Sequence, residues 1–426
     1  MPLTYWTGSI AIFFVGTLLS GLYPAFVLSG YRPIAVLKGA FKNREGSQIL
    51  RKGLIVTQFA ASVAMIAGTI LVYSQVDFMR SQKLGVNIDR TVVMEGAASP
   101  QDSVYQSSYL PFKTEVKSLS GVQSLTASSN IPGKEIYWTN SAQRVGVTSA
   151  PTITLFILGI DYDFIPSFDV KIDAGRNFSE QYPSDNKACV LNQVAVKELG
   201  FENASAALGG KVWRGRDTLT VIGVVADYHQ EGLQKAIVPT ILLLQSNTRS
   251  YYSVKLLSSD LQGTIAKLQH IWDKQFPNDP FNFFFLDDTF DQQYRADVQF
   301  GRIFGIFSGL AIVIACSGLL GMSSYNSLQR AKEIGIRKVL GASAQNLVLL
   351  LTKDFVILVL AGFALAVPVA WLVMRLWLQN FAYRANIDAG IFIVAGLSAA
   401  VVALLTVGVQ AVKAATGNPV EALRNE

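Results

Sequence analysis

Histidine and cysteine are nearly missing from this chain of 426 residues, which has two of each: His229, His270, Cys189 and Cys316. Transition-metal centres are built from clusters of such side chains, so no metal site and no histidine-based catalytic centre is expected. The two thiols lie far apart in the sequence, Cys316 inside an apolar run and Cys189 in a long mixed segment, which leaves no geometric basis for a disulfide. Charge is scarce too. Charged residues make up 15% of the chain, against about a quarter in soluble domains. The phosphate-cradling pattern GxxxxGK[ST] occurs nowhere. The chain is therefore expected to be non-catalytic, to need no cofactor, and to obtain any ATP hydrolysis from another chain.

What is abundant is apolar sequence, half of all residues. Five runs contain no Asp, Glu, Lys or Arg: residues 4–31, 53–76, 303–329, 355–374 and 389–412. A hydrocarbon core about 30 Å thick needs roughly 20 helical residues, and all five suffice. The first has no basic start and is too long for a signal peptide, so it reads as a retained span. Within the third, the pairs Gly305/Gly309 and Ser317/Gly321 have the small-xxx-small spacing that lets helices approach closely. Four of the runs hold nothing ionisable at depth, and Arg375 lies at the edge of the other, an arrangement that argues against an ion-coupled carrier.

Orientation follows from the short loops. Arg32, Lys38, Lys42, Arg44, Arg51 and Lys52 face Glu45 alone between the first two runs. Arg330, Lys332, Arg337, Lys338 and Lys353 outnumber Glu333 and Asp354 between the third and fourth. Lys and Arg beside spans stay on the cytoplasmic side. That places residues 77–302 outside and the C-terminus inside. The net charge of +6 reflects this topology and calls for no nucleic acid.

The outside segment reads as mixed α/β. Strands are expected at 91–95, 122–128, 252–257 and 281–286, with helices at 111–119 and 261–276 between them, Pro111 in the first turn of the former. A more β-rich middle, with strands at 152–159, 218–225 and 240–244 and a helix near 192–199, reads as an inserted subdomain. Asp227-Tyr-His229 is the one cluster suggestive of an outside enzyme, and it reads as a structural turn. From Asp288 to Gln329 there is no proline, and Phe290, Tyr294 and Val298 recur every four residues. That spacing predicts one helix of about 42 residues, with a stalk of several turns above the membrane. Residues 74–84 extend the second span in the same way.

Two features carry a family resemblance. The loop after the third run reads SLQRAKEIGIRKVLGAS over 327–343, and its pattern R-x-K-E-I-G-I-R-K-x-x-G-A resembles the signature of FtsX/MacB-like ABC transporter permeases. The endings PIAVLK at 33–38 and PVEALR at 419–424 repeat the form P-[IV]-x-[AV]-L-[KR], similar to the tail closing that family's membrane domain. GRNF at 175–178 and VIGVVAD at 221–227 resemble its periplasmic core.

The resemblance implies an α-helical membrane domain of five spans plus an extracytoplasmic α/β domain of the MacB type. It divides the chain into a last span and tail of a preceding copy (1–49), a span (50–76), a core domain (77–302) and a three-span permease domain (303–426), the second half of a two-copy permease. It implies a multi-pass protein of the bacterial inner membrane that transmits ATPase-driven movement to the outside domain and exports or extracts a substrate. A regulatory or sensor protein acting with a cell-wall hydrolase or histidine kinase is the alternative. Arg330, Glu333, Ile334, Gly335, Ile336, Arg337, Lys338 and Gly341 are the expected ATPase-coupling residues. A separate ABC ATPase, a permease dimer or pseudo-dimer, a periplasmic adaptor and membrane lipids are the implied partners.

Overall fold

The computed structural model describes residues 6–8, 10–11, 13–18, 21–22, 45–96, 102–147, 150–245, 248, 250–257 and 260–416. Both PIAVLK and PVEALR lie outside them. The first long helix, α1, runs Glu45–Ser81 and takes the expected second span well past the membrane. Residues 91–285 then form the α/β domain. Its elements are β1 (Thr91–Glu95), α2 (Asp102–Lys117), β2 (Val122–Ser128), β3 (Thr139–Arg144), β4 (Ile153–Ile160), α3 (Phe164–Ser167), β5 (Ile172–Gly175), β6 (Ala188–Asn192), α4 (Gln193–Glu198), α5 (Ala204–Ala207), β7 (Lys211–Arg214), β8 (Asp217–Val225), β9 (Thr240–Leu244), β10 (Tyr251–Leu256), α6 (Leu261–Gln275) and β11 (Phe283–Phe285). Four helices close the chain: α7 (Leu286–Gln329), α8 (Ala331–Val339), α9 (Ala344–Leu378) and α10 (Ala389–Thr416).

The outer strands lie in the order β11-β1-β10-β2, each pair antiparallel. β1-α2-β2 and β10-α6-β11 are thus two interleaved split βαβ units, a ferredoxin-like arrangement. Their apolar side chains meet the two helices in one core, where Tyr109 stacks on Tyr252 at 4.9 Å and Phe112 meets Trp272 edge-on at 5.7 Å. The same aromatic pair corrects the sequence reading of α2. The helix starts at Asp102, so Pro111 lies inside it and not in its first turn. A helix-interior proline forfeits a backbone hydrogen bond, and burial of Tyr109 and Phe112 on either side of it offsets that loss.

The middle strands enter the chain between β2 and β10. β4 and β9 pair in parallel, as do β6 and β8; the insertion has its own core around Leu155, Leu191 and Val224, and a second one in which Val190 and Leu242 join Val93 of β1 and Leu286 and Phe290 of α7. Four of its strands, β3, β5, β6 and β7, carry no sequence expectation. β6 is buried at every residue, and so short a continuous apolar run has no period to read. GRNF and VIGVVAD pair with each other across β5 and β8. Gly175 has φ +77, and a Cβ there would stand 2.2 Å from the Ile222 carbonyl; one at Gly223 would stand 2.3 Å from that of Arg176. Only glycine fits either position. The insertion is pinned to α2 by Asp161, 2% exposed, which accepts hydrogen bonds from Lys113 at 2.7 Å and from Thr126.

Among the described residues four helices are long and apolar enough to cross a membrane: α1, α7, α9 and α10. The fifth expected span, 4–31, lies largely outside those residues; an apolar helix runs Trp6–Leu18 there, too short to count. Half of the most apolar window of α1 is buried, against about a fifth in the other three, so α1 is the central helix. The close crossing is α1 on α9, where a Cβ at Gly362 would stand 2.9 Å from the Phe59 Cβ and 3.0 Å from the Val56 carbonyl. Gly309 and Gly321, spaced for such contact, have nothing within 4 Å. The expected stalk is continuous. α7 runs for 44 residues directly from β11, and Leu286, read from sequence as the end of a strand, is its first residue.

Candidate functional site

The 330–343 segment folds as a short amphipathic helix pressed against the ends of three spans. Arg330 lies at the joint of α7 and α8 and pairs with Asp354 of α9 at 3.2 Å. Gly341, with φ +90, ends α8. The Ala342 amide donates to the Arg337 carbonyl at 2.9 Å and the Gly341 amide to the Lys338 carbonyl at 3.1 Å, the two bonds of a Schellman stop. Ser343 then caps α9 by accepting from the Asn346 amide at 3.3 Å.

This geometry divides the eight expected coupling residues into two sets. Ile334 is buried in a cluster with Leu347, Leu351, Ala411 and Ala415, and Gly335 is buried beside it. Lys338 Nζ donates to the Ala415 carbonyl at 2.8 Å, tying α8 to the end of α10. Ile336 faces outward at 52% exposure, next to the Glu333–Arg337 pair at 2.7 Å. An exposed pair one turn apart is worth only about 0.5 kcal/mol, so it shapes the surface more than it holds the helix. Sequence reasoning placed Gly335 among the coupling residues, and the structure buries it next to Ile334. It also passed over Leu328, Val339 and Leu340, all strongly exposed. Their large apolar side chains on a charged loop were the available signal.

The outside cluster at 227–229 does not converge. Asp227 accepts a hydrogen bond from the Val194 amide at 3.1 Å, and burial pushes its carboxyl above the usual range. Tyr228 is buried, and the His229 ring packs edge-on against Tyr383 at 4.8 Å. The three side chains point to three different neighbours, which leaves no nucleophile and base in one place. Among the described residues no three His, Cys, Asp or Glu side chains are grouped to hold a metal ion.

Four spanning helices, an extramembrane α/β domain on two long helical stems and a short amphipathic helix at the opposite end define a multi-pass membrane protein with one large domain outside the bilayer. Residues 59–270 match the MacB-like periplasmic core domain, and residues 305–419 match the FtsX-like permease C-terminal domain. The chain belongs to the FtsX/MacB-like ABC transporter permeases. It is 23% identical to the uncharacterized ABC transporter permease YknZ of Bacillus subtilis over 58% of this chain and 61% of that one. To the pyoverdine export ATP-binding/permease protein PvdT of Pseudomonas entomophila it is 22% identical over 92% of this chain. The match takes in 62% of PvdT, so the chain spans about three fifths of both relatives. The solved periplasmic region of MacB from Actinobacillus actinomycetemcomitans is 19% identical and covers 50% of this chain and 96% of its own, with a TM-score of 0.34.

Proposed function

We propose that the chain is the permease subunit of a MacB-like ABC transporter, in which closure of a separate ATPase pushes on α8 and the helices carry that movement to the outside domain. The single observation that carries this reading is the seating of α8. Its inner face locks into α9 and α10 through Ile334 and Lys338, while Ile336, Val339 and the Glu333–Arg337 pair face outward. A helix held on one side and apolar on the other can receive a push and pass it on. The substrate is exported or extracted from the outer side of the inner membrane. The chain would form one half of a dimer or pseudo-dimer, and a periplasmic adaptor has the outside domain to meet.

The test is capture of the cognate ABC ATPase by the full-length chain in detergent. Ile336→Asp, and Glu333→Ala with Arg337→Ala, should weaken capture by at least about tenfold if they lie at the centre of the contact. Insertion into the membrane should persist. Undiminished capture by both variants would remove α8 from the contact and leave the coupling assignment without support.

A further inference from the structure

The loop between β8 and β9 makes a second connection between the membrane helices and the outside domain, one that owes nothing to the covalent passage of β11 into α7. Leu233, at its tip, is 1% exposed. It shares one buried cluster with Leu71 and Met79 of α1, Tyr294 of α7, Met374 and Leu378 of α9, and Phe381 just beyond. An aliphatic side chain of the outside domain is thus plugged into the top of the helix bundle.

The backbone around it is held from three sides. The Ala382 amide donates to the Gln234 carbonyl at 2.9 Å and the Tyr383 amide to the Leu233 carbonyl at 3.3 Å, so the α9–α10 loop runs along the 228–235 loop. Gln75, fully buried in α1, donates to the Tyr383 carbonyl at 2.9 Å and accepts from the Ala385 amide at 2.7 Å. From α7, the Gln293 side chain accepts from the Gly232 amide and donates to the Gly133 carbonyl at 2.7 Å. The end of α1 adds one more bond, from the His229 amide to the Leu84 carbonyl at 2.8 Å.

We infer that these contacts form a clasp that fixes the inserted subdomain directly to the tops of α1, α7 and α9 and to the α9–α10 loop, while the ferredoxin-like subdomain is joined through β11 to the first turns of α7. The inserted subdomain then receives movement of the helices without relaying it through β11. Gln75 and Leu233 are positioning residues in this scheme. The inference rests on the permease reading for the source of the force, but the clasp is tested without any ATPase.

The full-length chain is reconstituted in lipid nanodiscs with Cys316→Ser. Cys189 stays in place, because it is fully buried and burial pushes its thiol up to about 12. Spin labels at Glu202→Cys and Asn380→Cys, both exposed, report the inserted subdomain against the α9–α10 loop. Labels at Lys267→Cys and Asp288→Cys report the outer subdomain against the first turn of α7. Leu233→Asp and Gln75→Leu should broaden the 202–380 distance distribution by about twofold or more, as local release of a packed segment does, while 267–288 stays narrow. Leu233→Met should restore the narrow distribution. An unchanged 202–380 distribution in Leu233→Asp would overturn the clasp, and so would equal broadening of both pairs, since that reports a damaged domain. With a captured ATPase, Leu233→Asp should keep ATP hydrolysis and let the 202–380 distance change on adding ATP and vanadate, whereas the intact clasp holds that pair fixed. Loss of ATPase capture itself is read only from the α8 variants, so the two ideas fail separately.

Discussion

Ile334 and Ile336 are two residues apart and chemically identical, yet α8 turns one inward and the other outward. Substitutions at the two sites should therefore fail differently. Gly335→Trp must enter a buried position next to Ile334, where overpacking costs about 1–3 kcal/mol. It should unseat α8 and lower the stability of the membrane domain in detergent. Ile336→Asp adds a charge to an exposed face and should leave the melting temperature unchanged while reducing ATPase capture. Equal thermal shifts for the two would contradict the division of α8 into a seated and a presented face. In the outside domain Arg176 plays a structural part at the motif that resembles the family core. Its guanidinium forks onto the buried Asp185 carboxylate at 2.7 Å to each oxygen. The hydrogen bond from Arg176 holds the Asp185 carboxyl below its usual range despite burial. A carboxyl so depressed stabilises the fold above its unfolded value of about 3.9, and that contribution is lost as pH falls through the lower folded value. Asp185→Asn should cost about 1–2 kcal/mol near neutrality, after allowing for the open side of the guanidinium. It should also flatten the loss of stability below about pH 4. Hydrogen exchange across residues 172–192 as a function of pH would show both effects, and a parallel pH profile in the variant would exclude the pair as their cause.

At the scale of elements, the long helices were the most legible part of the sequence. Phe290, Tyr294 and Val298 marked one face of α7 well before the membrane, and each of the four described spanning helices contains one of the charge-free runs. Strands were legible where an alternating or strongly branched run had turns on both sides, as at 91–95 and 122–128. They were lost where pairing partners supplied the order: β3 has one buried residue in six, and β6 has no polar face at all. The clasp was illegible for another reason. Gln75 and Leu233 look ordinary in sequence, and their meeting with 381–385 joins positions some 308 residues apart from Gln75. Helix α8 stood between these extremes, its position fixed by EIGIRK and Gly341 but its outward face hidden until α9 and α10 were packed. The separate roles of stem and clasp give an element-level expectation. Gln292 is exposed on α7, immediately before the clasp contacts at Gln293 and Tyr294. Proline there removes one backbone hydrogen bond and costs about 3 kcal/mol locally. Gln292→Pro should widen the distance distribution between labels at Lys267 and Asn380, leaving the 202–380 pair narrow. Widening of both would mean that stem and clasp are one mechanical unit.

For the molecule as a whole, every functional statement depends on which end of the bundle faces the cytoplasm, and this can be settled by chemistry at two surface sites. The basic residues of α8 and of the start of α1 lie at one end, and the α/β domain lies at the other. Lys and Arg resist translocation when they stand in short loops beside spans, so the α8 end should be cytoplasmic. Ser141 is exposed on β3 of the outside domain, and Asn346 is exposed in the first turn of α9 beside α8. In a chain carrying Cys316→Ser, the remaining Cys189 is fully buried and should not react. Ser141→Cys should then label with a membrane-impermeant maleimide in intact spheroplasts, and Asn346→Cys only after the membrane is opened. The ends are separated by the length of α9, 35 residues or roughly 50 Å at 1.5 Å per residue, so a charged reagent on one side cannot reach both. Labelling of Asn346→Cys alone in intact cells would invert the orientation and place α8 where no ATPase could reach it. Labelling of both sites would mean that α1, α7, α9 and α10 do not span the bilayer together, and the transmission of force from α8 to the outside domain would have no path.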